Sequence, residues 1–109
     1  MEIRQIYEDR KRFLDLLLLA DEEESMIDRY LDRGDLFVLY DPDVRAVCVV
    51  TQEGEGEFEI RNLAVAPAFQ RRGYGRAMVG FLFSHYKNRC RTMTVGTGDS
   101  PMTIPFYQS

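Results

Sequence analysis

Residues 60–76 constrain this chain more than any other stretch. An apolar run, Ile60 to Val65, leads into Gln70-Arg71-Arg72-Gly73-Tyr74-Gly75, and a helical pattern follows from Arg76 to Tyr86. A strand, a tight glycine turn and a helix start, in that order, make an anion cradle. The N–H groups of a first helical turn have no partner within the helix, and with the positive end of the helix dipole they hold a phosphate without any side chain. Gly73 and Gly75 let that backbone approach a ligand closely.

Two better known phosphate loops do not fit. A P-loop needs Lys-Ser/Thr after its second glycine and a dinucleotide fingerprint needs three glycines, and neither pattern is present. The stretch resembles instead the acetyl-coenzyme A signature of the GNAT superfamily of N-acyltransferases, Gln/Arg-x-x-Gly-x-Gly/Ala, preceded by a strand that often reads Leu-Ala-Val. Leu63-Ala64-Val65, Pro67 and Gln70 to Gly75 carry the likeness.

The rest of the chain supplies a matching order of elements. Glu2 to Tyr7 reads as a first strand, and Asp9 is placed to cap a helix through about Ala20 whose Phe13, Leu14, Leu17 and Leu18 form one apolar stripe. Asp21 and Glu24 have the spacing of a capping box for a second helix, which runs to Arg33 and ends at Gly34. Asp35 to Tyr40 and the valine-rich Arg45 to Thr51 read as a hairpin around Asp41-Pro42-Asp43. Gln52 to Glu57, with two glycines, reads as a flexible connection, and Phe58 to Val65 as the next strand. A helix from about Gly73 to Asn88 turns Met78, Val79, Leu82, Phe83 and Tyr86 inward. It returns the chain to a strand, Arg91 to Gly96, parallel to the Phe58 strand. Asp99 or Ser100 ahead of Pro101 is placed to cap one more helix, which Pro105 would kink or end.

This order, β-α-α-β-β-β-α-β and then the start of a helix, is the GNAT order. The resemblance implies one α/β (α+β) domain over residues 1–109, a central mixed sheet of about five strands flanked by helices. It also implies two further strands after a Phe-Tyr-x-x-x-Gly-Phe element, of which this sequence carries only Phe106-Tyr107-Gln108-Ser109. The expectation is a C-terminally incomplete domain whose exposed sheet edge invites self-association as a homodimer.

The same resemblance assigns the cofactor-binding residues. Backbone N–H groups from Arg71 through Arg76, including those of Arg72, Gly73, Tyr74 and Gly75, would hold the pyrophosphate of acetyl-CoA, with Gln70 opening the loop. Leu63, Ala64 and Val65 would present main chain to the pantetheine arm, and the Val65 N–H would polarise the thioester carbonyl. A bulge at Asn62-Leu63 would open the split that takes the cofactor. The side chains of Arg71, Arg72 and Arg76 are either phosphate contacts or exposed loop charges. Ser100 is a further cofactor contact or only a cap. Glu59, six residues before Val65, matches the general-base glutamate of some relatives, with Glu57 as the fallback. Tyr107 matches the tyrosine that serves as general acid toward the coenzyme A sulfur. His85, midway along the helix, reads as a packed or surface residue.

Charge divides the chain in a way consistent with these roles. Residues 1–60 carry 7 Lys/Arg against 17 Asp/Glu, a sum of −10, and residues 61–109 carry 7 against 1, a sum of +6. The basic half suits a polyphosphate and the acidic half a cationic amine, or else the acidic excess is a solvated face. No stripe of Lys/Arg interleaved with aromatics marks a nucleic-acid surface. The longest apolar run, Leu16 to Ala20, is too short to span a bilayer and the N-terminus lacks a signal pattern, so the expectation is a cytoplasmic protein with no membrane partner. Cys48 and Cys90 lack CxxC spacing and read as free buried thiols, with no metal site. The function expected is acetyl transfer from acetyl-CoA to a small-molecule or protein amine. The alternative is an acyl-CoA-binding module without turnover.

Overall fold

The computed structural model describes residues 1–95 and the backbone of residues 102–105. Six strands form one sheet in sequence order: β1 (Glu2–Ile6), β2 (Asp35–Tyr40), β3 (Val44–Gly54), β4 (Glu57–Val65), β5 (Thr92–Val95) and β6 (Met102–Pro105). Neighbours are antiparallel except β4 and β5, which run parallel. The parallel pair is the one joined through a helix, α3 (Tyr74–His85), since a parallel return requires a crossover. Helices α1 (Leu14–Ala20) and α2 (Glu24–Arg33) cover the opposite face.

Central strands therefore bury both faces. Phe37, Leu39, Ala46 and Cys48 pack toward Met78, Leu82 and Tyr86 of the α3 layer, while Leu36, Val38, Val47 and Val49 pack toward Leu17, Ile27 and Leu31 of the α1–α2 layer. This is why β2 and β3 read as continuous apolar runs rather than alternating ones. Cys48 and Cys90 are buried free thiols, as expected, and burial pushes the Cys48 thiol pKa up.

The order β-α-α-β-β-β-α-β is the one expected, with local corrections. Asp9 does not cap α1: it is left-handed (φ 50°) and its carbonyl accepts the Arg12 N–H of a 3-10 turn, Arg10–Phe13, that precedes the α-helix. The capping box does not form, because α2 begins at Glu24 itself. Asp21 instead accepts the Glu23 N–H at 3.2 Å and the Tyr30 hydroxyl at 3.3 Å. Gly34 ends α2 as expected, but in extended backbone (φ −102°) rather than a left-handed cap. A Cβ there would lie 2.7 Å from the Tyr30 carbonyl and 2.9 Å from Val49, so space is what demands glycine.

The flexible connection shrinks to a two-residue hairpin turn, Glu55-Gly56, with Gly56 at φ 73° and Gly54 paired to Glu57. Helix α3 stops at His85, three residues earlier than expected, and Phe83 is 39% exposed rather than inward. A strand, β6, takes the place of the last expected helix, so the sheet has six strands and Pro105 ends a strand. The unpaired edge of β5 offers backbone donors and acceptors that a strand satisfies directly, and this prevails over the local helix signal at Pro101. Asp99, Ser100 and Tyr107 lie outside the described residues.

Candidate functional site

Strand β4 is interrupted where the site begins. Val50 pairs with Ile60 and Val49 with Asn62, leaving Arg61 as one extra residue, a bulge one position earlier than expected. Because side chains alternate with period two, a single inserted residue exchanges the faces of everything beyond it. Phe58 and Ile60 face the α3 layer before the bulge, and Leu63 and Val65 face it afterwards. Asn62 and Ala64 turn to the α1–α2 side, both buried.

The bulge also ends the parallel ladder. β4 pairs with β5 only from Glu57 to Ile60, and residues 61–65 continue with no β5 partner among the described residues. The direction of the free main-chain groups follows from one hydrogen bond. Ala66 donates its N–H to the Arg45 carbonyl at 2.8 Å, toward β3. N–H groups alternate sides along a strand, so Val65 and Leu63 turn theirs away from β3 and into the split. The Val65 carbonyl turns the same way and accepts the Gln70 amide at 3.2 Å, which ties the loop to the strand end.

After a short 3-10 turn, Pro67–Phe69, the chain makes two left-handed steps, Arg71 (φ 65°) and Gly73 (φ 88°), and enters α3. Gly73 stands at the helix start, its carbonyl accepting the Ala77 N–H at 2.9 Å and no side chain capping the first turn. The first-turn N–H groups thus face a cleft of about 450 Å³ lined by Val65, Gln70, Arg71, Gly73, Tyr74, Gly75 and Arg76. A Cβ on Gly73 would meet nothing within 4 Å, because it would project into open space. On Gly75 it would only touch Val65 at 3.9 Å. The cleft thus joins exposed backbone donors, two arginines and a free strand edge, a set suited to an elongated anion.

The other expected residues are placed as follows. Arg72 does not line the cleft; its guanidinium lies 5.5 Å from the Phe69 ring, on which Arg45 also stacks at 3.7 Å. Leu63 is partly buried beside α3 and Ala64 is buried on the other face. Glu59 lies on β4 before the bulge, paired with Thr51 on one side and Thr94 on the other, and its carboxylate meets Arg61 at 3.0 Å. Six residues separate it from Val65, roughly 20 Å of strand. Glu57 lies at the β3–β4 turn, further from the split. His85 packs its ring on Phe37, Phe81 and Tyr86 and stays away from the cleft. Among the described residues no group of three or more His, Cys, Asp or Glu could hold a metal ion.

Two features escaped the sequence. Asn62 donates to the Leu17 carbonyl at 2.8 Å and to the Tyr30 hydroxyl at 2.9 Å, fastening the bulge to both helices of the opposite layer. Tyr74, the first residue of α3, donates its hydroxyl to Asp41 of the β2–β3 turn at 2.7 Å, and that bond holds the tyrosine pKa above its ordinary value. A polar residue in an apolar strand is a visible signal for the first. Nothing in the local sequence signals the second.

A free strand edge beside an uncapped helix start lies where the sequence motif falls, and comparison with known proteins gives the family. The acetyltransferase (GNAT) family matches residues 1–109. This chain belongs to the GNAT family. An uncharacterised N-acetyltransferase of Bacillus subtilis (strain 168), YvbK, is 34% identical over 104 residues, covering 93% of this chain and 67% of its own length. A GNAT family acetyltransferase from Elizabethkingia anophelis, solved with acetyl-CoA bound, superposes with a TM-score of 0.83 at 32% identity, over 91% of this chain and 66% of that one. An IAA acetyltransferase from Bacillus cereus ATCC 14579 gives the same score and identity, over 91% and 67%. The chain thus spans about two thirds of the length of these relatives. Among the described residues no helix is long and apolar enough to cross a membrane.

Proposed function

We propose that this chain binds acetyl-CoA in the cleft at the start of α3 and transfers the acetyl group to a primary amine of a small molecule or protein by direct attack on the thioester. The observation that carries this reading is the free edge of β4 beyond Arg61, continuous with the uncapped first turn of α3. Backbone N–H groups from Arg71 to Arg76 hold the pyrophosphate, with the Arg71 and Arg76 side chains beside them. Leu63 and Val65 pair with the pantetheine arm, and the Val65 N–H, turned into the split, stabilises charge on the thioester oxygen as it develops. The co-substrate supplies the activated acetyl group.

Attack forms the C–N bond and breaks the C–S bond, so the amine must lose a proton and the sulfur must gain one. Glu59, held by Arg61 toward the other end of β4 from Val65, is the proposed proton acceptor, linked to the amine through water rather than by direct contact, and Tyr107 is the proposed donor to sulfur. Relatives solved with acetyl-CoA or CoA support the cofactor assignment. The acidic first half of the chain favours a cationic acceptor.

Titration calorimetry with acetyl-CoA, on the wild type beside Gly73→Glu, tests the cofactor half. Binding at millimolar affinity or tighter in the wild type and none in the folded variant is the expected result, because the variant strains a positive φ and sets an anion in the cradle. Equal binding by both would refute the site. Thiol release on adding amines then separates turnover from binding alone.

A further inference from the structure

Tyr74 lines the cleft, and its hydroxyl reaches the β2–β3 turn. The hydroxyl contacts Asp41 Oδ2 across 33 residues of sequence, and Asp41 is itself fixed by its N–H, which donates to the Asp43 carbonyl at 2.8 Å. The other carboxylate oxygen lies 3.7 Å from the amino group of Met1, an exposed pair of small energetic weight. Arg45, whose guanidinium stacks on Phe69, is the cation beside the hydroxyl and acts on it against the Asp41 charge. The helix start that must hold still for a phosphate is therefore tethered to a distant turn through one bond, and the tether ends in a negative charge. A polyphosphate in the cleft would be repelled by that charge through solvent.

We infer that Tyr74 and Asp41 form a clamp on the cradle in which the hydroxyl positions the first turn of α3 and the Asp41 charge limits affinity for a polyphosphate ligand. This rests on the assignment of the cleft to coenzyme A. The two partners then act in opposite directions, which a merely structural bond would not produce. Tyr74→Phe removes the tether and keeps the charge. Asp41→Asn keeps an acceptor oxygen for Tyr74 and removes the charge.

Calorimetric titration of coenzyme A into the two variants at low salt reads the difference. Tyr74→Phe weakens binding about fivefold, the size of one ordinary hydrogen bond at an exposed site. Asp41→Asn tightens binding about twofold, and the gain disappears at about 0.5 M salt. Weakening of similar size in both variants, or no change in Asp41→Asn at low salt, would overturn the inference. Amide hydrogen exchange at Ala77, whose N–H closes the first turn of α3 on the Gly73 carbonyl, provides a second readout when measured without ligand. Faster exchange in Tyr74→Phe and wild-type exchange in Asp41→Asn support the clamp, and unchanged exchange in Tyr74→Phe refutes it. If the wild type binds no coenzyme A, the cofactor assignment fails while exchange still decides the positioning role.

Discussion

Arg61 is one residue that decides which face of β4 the next four side chains occupy. Strict alternation would place Asn62 and Ala64 with Phe58 and Ile60, yet both face α1 and α2. No local feature of Ile60-Arg61-Asn62 announces the inserted residue, so the bulge was legible only from the family resemblance and fell one position away. Asn62 then bonds Tyr30, whose hydroxyl in turn bonds Asp21, and burial with that carboxylate pushes the tyrosine pKa up to about 12. The sign follows directly. The unfolded chain ionises Tyr30 near 10, so this contribution to stability is complete below that pH and is lost as pH rises toward 12. Urea unfolding followed across this window should show stability falling with pH, and falling less steeply in Tyr30→Phe. An equal slope in wild type and variant would contradict the assignment. Tyr86, whose pKa burial and its bond to Asp35 also raise, leaves a residual slope in both.

At the scale of elements, much of the chain was legible because each segment satisfied its own period. The hairpin of β2 and β3, the strand β4, the glycine turn and α3 announce themselves through valine runs, turn residues and a helical stripe. What failed were the ends, where competing partners decide. Asp21 had the spacing of a cap, but the Tyr30 hydroxyl and the Glu23 N–H claimed its oxygens. Residues 102–105 followed a proline suited to a helix, but the open edge of β5 recruited them. Gly34 was read correctly as a stop and for an incomplete reason. Since its backbone is ordinary and its Cβ position is occupied by Tyr30 and Val49 atoms, Gly34→Ala should destabilise the fold by about 1–3 kcal/mol through overpacking between α2 and β3. Chemical denaturation checks this, and a neutral or stabilising result would show that the junction is looser than its packing indicates.

Across the whole molecule, the division of charge and the division of structure do not coincide element by element. The basic half supplies the cradle and β5, while the acidic half supplies α1, α2 and β1 to β3, and β4 crosses between them. The sheet order alone does not reveal the proposed cofactor site, because its opening arises from a register shift and a strand that runs past its parallel neighbour. The glycine motif marked the proposed anion end of that site in the sequence; the Tyr74–Asp41 tether behind it was hidden by 33 residues of separation. All of this rests on free backbone donors along one path, from the edge of β4 to the first turn of α3. Amide chemical shifts recorded while coenzyme A is added to the isotope-labelled chain would test that path directly. The largest shifts should fall on Leu63, Val65 and Arg71 through Arg76, with Ala64 and Ala66, whose N–H groups face β3, moving less. Shifts centred on α1 and α2, with the glycine turn unmoved, would contradict the proposed site.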